Sequence, residues 1–416
     1  MLLAVLSVAL AYGVWRWGAV LELDRWAIAL VLGVTATVYY WGKRRYELAP
    51  PLPKAVRWAL GAGVVYVALG CVPLPVSVLK VLSPARAELA AELEERWAPL
   101  SVAPSASLLL AATIAACVLV FVLAREAAWR LEERAWMAAL PLAVIAALEA
   151  ALGLAQFFSN WPEGVARGTY VNRNHFAGFL EMGLLAAAGL ALGTQASPGR
   201  SATLRRGAAI TLGALILAGI IHSLSRMGFI AALVGLGVFA GAVLSRKLRR
   251  RRAESRLRTK ILVAAGLLVG VVVLFIYLPP DRLIARFAEL AATEDITADT
   301  RMEIWRETLG LIKAYRWTGS GAGSYESAFY RYKTVAPMNT VDYAHNDYLQ
   351  WLAELGLVGF GIWLVVVLGV MRRARWHPAA LGALAAIALH SVVDFNLYIP
   401  ANAMAVAWMA GIGTVE

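Results

Sequence analysis

Apolar runs of roughly twenty residues, separated by polar connectors, recur along nearly the whole chain. A helix that crosses a bilayer needs about 20 mostly apolar residues. These runs do not alternate in polarity, as the strands of a membrane barrel do. The pattern predicts an all-α polytopic membrane protein with about twelve transmembrane helices. They are placed near 2–21, 26–42, 55–73, 104–124, 136–157, 174–194, 207–223, 227–245, 260–278, 353–371, 379–393 and 400–414. Two connectors are long, 74–103 and 279–352, and no strand is expected. The expected organisation is a single membrane domain over 1–416, with 279–352 inserted as a large loop between spans nine and ten.

Composition agrees with the pattern. The chain has 416 residues, 60% of them hydrophobic and only 16% charged, with a mean hydropathy of +0.66. A soluble protein carries roughly 25% charged residues. The net charge of +12 would suit nucleic acid, but the positive charge sits in short connectors such as "KRRYELAPPLPKAVR", "REAAWRLEER" and "MRRAR". That placement follows the positive-inside rule. The basic stretch 246–260 reads as a solvated, orientation-fixing segment on anionic headgroups. These connectors are assigned to the cytoplasm, which puts both termini there. The links at 158–173, 223–226 and 394–399 and both long connectors then face outward. Cys71 and Cys117 fall inside apolar runs and read as small core residues, not a disulfide. The first fifteen residues lack a basic leader and an A-x-A cleavage site, so they are expected to form a span, not a signal peptide.

The large loop has structure of its own. "TRMEIWRETLGLIKAY" places Ile304, Trp305, Thr308, Leu309 and Ile312 on one helical face, with Thr300 and Glu303 as a capping box. "WTGSGAGSYES" is a glycine/serine turn that lets backbone approach a ligand or another helix. Pro337 marks a break before the next segment.

Four outward helix ends carry the candidate chemistry. His345, in "AHNDYLQWLAELG", opens span ten. Helical stepping puts Gly356 on its face, where a glycine lets another helix pack closely. A histidine there suits proton transfer near neutrality, or it caps the helix or meets headgroups. "RGTYVNRNHFAGFLEMG" brings Arg167, Asn172, Arg173, Asn174 and His175 to the start of span six. One asparagine suffices for a cap; the remaining groups suit an anion, since arginine forks onto phosphate and a helix N-terminus adds partial positive charge. Arg226, between two nearly abutting spans, is a functional candidate by its depth or a residue that snorkels to headgroups. His390 and Asp394, four apart, form a hydrogen-bonded pair or a packing contact between helices. There is no HExxH, CxxC or paired-acid motif in the outer loops, so no metal and no cofactor are expected. Anion binding plus one proton-transfer group is a kit for breaking a phosphate–sugar bond, and the external donor with that bond is a polyprenyl-diphosphate-linked glycan.

These residues resemble the O-antigen ligase and polymerase superfamily of bacterial envelope glycosyltransferases. The resemblance lies in His345 followed after ten residues by Gly356, and in "RGTYVNRNHFAGFL". The large-loop block "TRMEIWRETLGLI", "GSGAGSYESAF", "AHNDYLQWLAELGLVG" is similar too. Arg226 stands where the family has an arginine followed by a leucine, although Ile230 replaces the leucine here. The resemblance implies a C-type, metal-independent, inverting glycosyltransferase of the bacterial inner membrane with its active site in the periplasm. It moves a glycan from undecaprenyl diphosphate to an acceptor hydroxyl on the lipid A core. A polymerase joining lipid-linked repeat units is the alternative, and a flippase of the same lipid is a third reading. On this view His345 is catalytic and Arg167, Arg173, Arg226 and Arg331 (or Lys333) hold the diphosphate. Asn172, Asn174, Asn346, Gly356 and Arg301 support them.

Overall fold

The computed structural model describes residues 1–43, 47–161, 164–193, 199–249, 298–334 and 340–415. The expected span 260–278, most of the basic stretch 246–260 and the Pro337 break lie outside the described residues.

Among the described residues, eleven of the apolar runs form helices: Leu2–Trp15, Glu22–Trp41, Lys54–Leu69, Pro104–Trp129, Leu140–Phe158, Arg173–Gly193, Arg200–His222, Arg226–Arg249, Asp347–Ala374, Pro378–His390 and Pro400–Gly413. Six of the described helices are long and apolar enough to cross a membrane, and the chain is a helical, multi-pass membrane protein. Proline opens three of these helices, at Pro104, Pro378 and Pro400, where its missing N–H has no intrahelical partner to lose.

The Arg173–Gly193 helix is central. It packs against the Leu140, Arg200, Arg226 and Pro378 helices, and Phe176, Phe179 and Leu180 on it are fully buried. Trp408 closes the same core, and its indole N–H donates to the Ala138 carbonyl at 2.9 Å. Two polar residues of this helix, His175 and Glu181, are buried with the apolar ones.

The connector 74–103 is not strand-free as expected. Pro73–Pro75 and Trp97–Pro99 pair antiparallel, with Leu74 opposite Ala98. The short helices Val76–Leu82 and Pro84–Glu92 lie between them. Prolines bound both strands, which keeps the ladder to three residues because each removes a donor. This small cap touches the large loop, where the Val102 amide donates to the Ser320 carbonyl at 2.8 Å.

The loop helix runs Ala298–Ala314. Thr300 and Glu303 therefore lie inside it and form no capping box. Its buried face is Ile304, Thr308 and Leu311, with Tyr315 beyond, while Leu309 is 56% exposed. The apolar stripe is rotated from the expected one because the helix docks on the Asp347 helix and on Tyr325 and Phe329, not on a flat membrane surface.

The largest correction concerns Gly356. His345 is not in the helix that follows it; Asn346 is the cap and Asp347 the first helical residue. Gly356 then breaks that helix, with φ +61° and ψ −173°. A shared helical face for His345 and Gly356 does not exist. Instead the glycine/serine turn inserts at the break. Leu357 and Val358 donate to the carbonyls of Arg316 and Trp317 at 2.8 and 3.1 Å. Ser320 and Gly321 donate to the carbonyls of Ala353 and Glu354 at 2.9 and 3.0 Å. Tyr66 Oη donates to the Leu355 carbonyl at 2.8 Å. The loop turn and Tyr66 thus pair these backbone groups around the break, as an apolar surrounding requires.

Gly356 sits in a backbone region reserved almost wholly for glycine, and a Cβ there would run into the Trp317 carbonyl. Gly356→Ala is expected to lose roughly 2 kcal/mol or more, from backbone strain of order 1–3 kcal/mol plus displacement of the turn. Thermal unfolding of the purified protein in detergent checks this; an unchanged Tm contradicts it.

Candidate active site

At the loop end of the bundle, three separate stretches meet at one carboxylate. Asp394 lies in the turn after the Pro378–His390 helix and is 1% exposed. Its Oδ1 accepts from the Phe395 amide at 2.9 Å. His175 Nε2 is 3.4 Å from Oδ1 and His345 Nδ1 is 4.0 Å from it. His390 Nε2 is 3.9 Å from Oδ2. Burial alone would raise the Asp394 carboxyl. His175 first, then His390 and His345, overcome that and hold it below the usual carboxylate range. Asp394 is therefore an anion at neutral pH, with imidazoles on both of its oxygens.

Each histidine is aimed by local structure. His175 lies in the first turn of the Arg173 helix, where the Asn172 side chain accepts from the Asn174 amide at 2.7 Å and its carbonyl accepts from Phe176. Gly178, one turn on, faces Asn396; a Cβ there would strike its amide. Asn402 ties the turn down, donating to the His175 carbonyl at 2.8 Å and to Asn396 at 2.9 Å. His345 has φ +49° and its side chain is 13% exposed. The Phe395 ring takes the edges of both His175 and His345, at 4.5 and 5.0 Å, and stacks on Tyr343 at 4.0 Å. His390 does not hydrogen-bond to Asp394 as its spacing suggested. Its Nδ1 turns instead to Glu181 Oε1 at 2.7 Å, in the middle of the Arg173 helix.

The asparagines and arginines divide. Asn346 is a cap, accepting from the amides of Tyr348 and Leu349 at 3.0 Å. Asn172 is also a cap, while Asn174 follows it half-buried. Arg167 sits half-buried on a strap over 164–170. Its amide donates to Gln156 Oε1 at 3.2 Å, and Ala166 next to it donates to the His222 carbonyl at 3.1 Å. That bond joins the strap to the turn that leads into Arg226. Ser225 caps the Arg226 helix through Gly228, and Arg226 opens it on an exposed face. Arg173 is the first residue of its own helix. Arg167, Arg173 and Arg226 thus stand on adjoining stretches at the loop end. Arg331 lies elsewhere: its exposed guanidinium forks onto Glu92 of the small cap, at 2.9 and 3.4 Å. Arg301 is half-buried on the loop helix, one turn before Trp305.

Some participants were missed in the sequence. Glu181 was visible as an acid in an apolar run, which is costly unless paired. Arg25, in the first turn of the Glu22–Trp41 helix, acts on Tyr343, and nothing local marks it. Glu354, 1% exposed, accepts from the amides of Gly323 and Tyr325 and from Tyr398 Oη and Gln350. It binds the loop turn to the Asn396–Tyr398 turn. Among the described residues, no three histidine, cysteine or acidic side chains are arranged to hold a metal ion.

No curated protein matches the chain. Residues 211–364 match a family model described as O-antigen ligase. That stretch carries Arg226, His345 and Gly356, while His175, His390 and Asp394 lie outside it. The matched stretch, 154 of the 416 residues, supports the resemblance to the O-antigen ligase superfamily.

Proposed function

We propose that the chain is a ligase that joins a glycan carried on undecaprenyl diphosphate to a sugar hydroxyl of the lipid A core, on the periplasmic side of the bacterial inner membrane. The observation that carries this reading is the meeting of a buried, ionised Asp394 with three histidines, beside arginines at two helix starts. His345 is the most exposed of the three imidazoles and takes the acceptor. It removes the hydroxyl proton as the oxygen attacks the anomeric carbon. The bond from that carbon to the diphosphate oxygen breaks on the opposite face, so the anomeric centre inverts.

Arg167, Arg173 and Arg226 receive the charge that grows on the departing diphosphate. Preorganised donors of this kind stabilise a transition state without reorganising. Arg301 and Asn174 support the same end of the bundle. Arg331, held by Glu92, lends its charge to the outer cap. In this reading the arginines supply the electrostatic stabilisation, so transfer by purified protein is expected to proceed in excess chelator.

Cells lacking the protein test the reading. They are expected to accumulate long lipid-linked polymer, seen by gel and mass spectrometry of the lipid fraction. Accumulation of single lipid-linked repeat units would instead identify a polymerase. Neither species accumulating would remove the lipid-linked donor from the proposal.

A further inference from the structure

We propose that Gln350 is a positioning residue that holds His345 in its working conformation through the Ala344 peptide. The inference rests on the reading of His345 as the group that faces the acceptor hydroxyl.

The argument begins with strain. His345 has φ +49°, a left-handed conformation that is unfavourable for a non-glycine residue. Such a residue keeps that conformation only where its surroundings over-determine it. Here they do. On the far side, Asn346 caps the next helix with two bonds of 3.0 Å, and the Asp347 amide donates to the Ser391 carbonyl at 3.0 Å. On the near side, both polar groups of Ala344 are taken. Its amide donates to Gln350 Oε1 at 2.9 Å. Its carbonyl accepts from the Trp305 indole at 2.9 Å.

Gln350 is itself fixed. It is 1% exposed, and its Nε2 donates to Glu354 Oε1 at 3.3 Å. Glu354 in turn accepts from Tyr398 at 2.8 Å. The chain of bonds from Tyr398 through Glu354 and Gln350 to Ala344 ends one residue from the imidazole. Without the Gln350 bond, the Ala344 amide is buried with its acceptor gone. The peptide is then free to turn toward water, and His345 relaxes out of the left-handed region. The imidazole moves with it. Gln350 touches neither donor nor acceptor in this account, and the helix keeps its Asn346 cap.

A double-mutant cycle with His345 tests this. Gln350→Met keeps the side-chain length and removes the hydrogen bonds. Turnover at saturating donor is expected to fall roughly ten- to a hundredfold, the scale of an ångström-level misplacement of a reacting group, with the donor KM unchanged. In a His345→Ala background the same substitution is expected to change turnover by less than twofold, because it acts only through the imidazole. Equal losses in both backgrounds would show a general structural role and overturn the proposal. So would normal turnover in Gln350→Met. If Gln350→Met does not fold, Trp305→Phe removes the indole N–H on the other side of Ala344, along with part of the ring, and is expected to show the same non-additivity; additive losses overturn the proposal there too. Near-normal turnover in His345→Ala alone would overturn the reading of His345 as well, whereas an inactive His345→Ala beside a normal Gln350→Met overturns only this inference.

Discussion

Replacing His345 with alanine is expected to slow glycan transfer by roughly two to four orders of magnitude, the range that general acid–base groups contribute. Binding of the lipid-linked donor is expected to persist, because Arg167, Arg173 and Arg226 belong to other stretches of chain and do not depend on the imidazole. The Asn346 cap and both bonds to Ala344 also survive the substitution, so the fold is expected to hold. His345→Gln separates two roles. An amide orients a hydroxyl by hydrogen bonding but does not take its proton. Turnover by purified, monodisperse variants at saturating donor is the measurement. Near-normal turnover in His345→Ala would move the search for a base to His175, which faces the same Asp394 oxygen at 3.4 Å.

Asp394→Asn is expected to reduce turnover on the order of a hundredfold or more, since in the proposed mechanism the anion beside the reacting imidazole is lost. Three imidazoles lose their shared anion, while the side-chain volume hardly changes. The substitution also has a pH signature. The Asp394 carboxyl is depressed by the histidines around it. A depressed carboxyl contributes stability that is fully present above its unfolded value of about 3.9 and is lost as pH falls through its lower folded value. Wild type is therefore expected to be more stable than Asp394→Asn at neutral pH, with the gap narrowing on acidification below about pH 4. Thermal unfolding in detergent across that range measures it. A gap that stays constant with pH would show that Asp394 is not held as an anion by its neighbours.

The sequence by itself determined where helices form. Runs such as 104–124 and 174–194 are long and apolar, and that property is local, so it is readable without a partner. It also marked helix ends where polar residues crowd, at 167–175, 223–226, 345–346 and 390–396, and each lies at the loop end of the bundle. The Asn172 cap was legible for the same reason, since a cap bonds only to its next few residues.

What the sequence did not decide is which of those groups meet. That His390 turns to Glu181, 209 positions away, follows from the packing of the Pro378 helix on the Arg173 helix, and no spacing encodes it. The loop helix shows the same limit. Its periodicity was visible, but its buried face was set by the surface it docks on, so the stripe rotated away from Leu309. Gly356 is the sharpest case. Glycine is common inside membrane helices, so the residue alone reads as a packing site. Only the arrival of the 316–321 backbone, which pairs with Ala353, Glu354, Leu357 and Val358, with Tyr66 taking the Leu355 carbonyl, makes a positive φ affordable there. Likewise Arg331 lay near His345 in sequence, yet Glu92 on the small cap claims its fork. Local pattern specified the elements; long-range pairing of buried polar groups, each costly without a partner, specified the site.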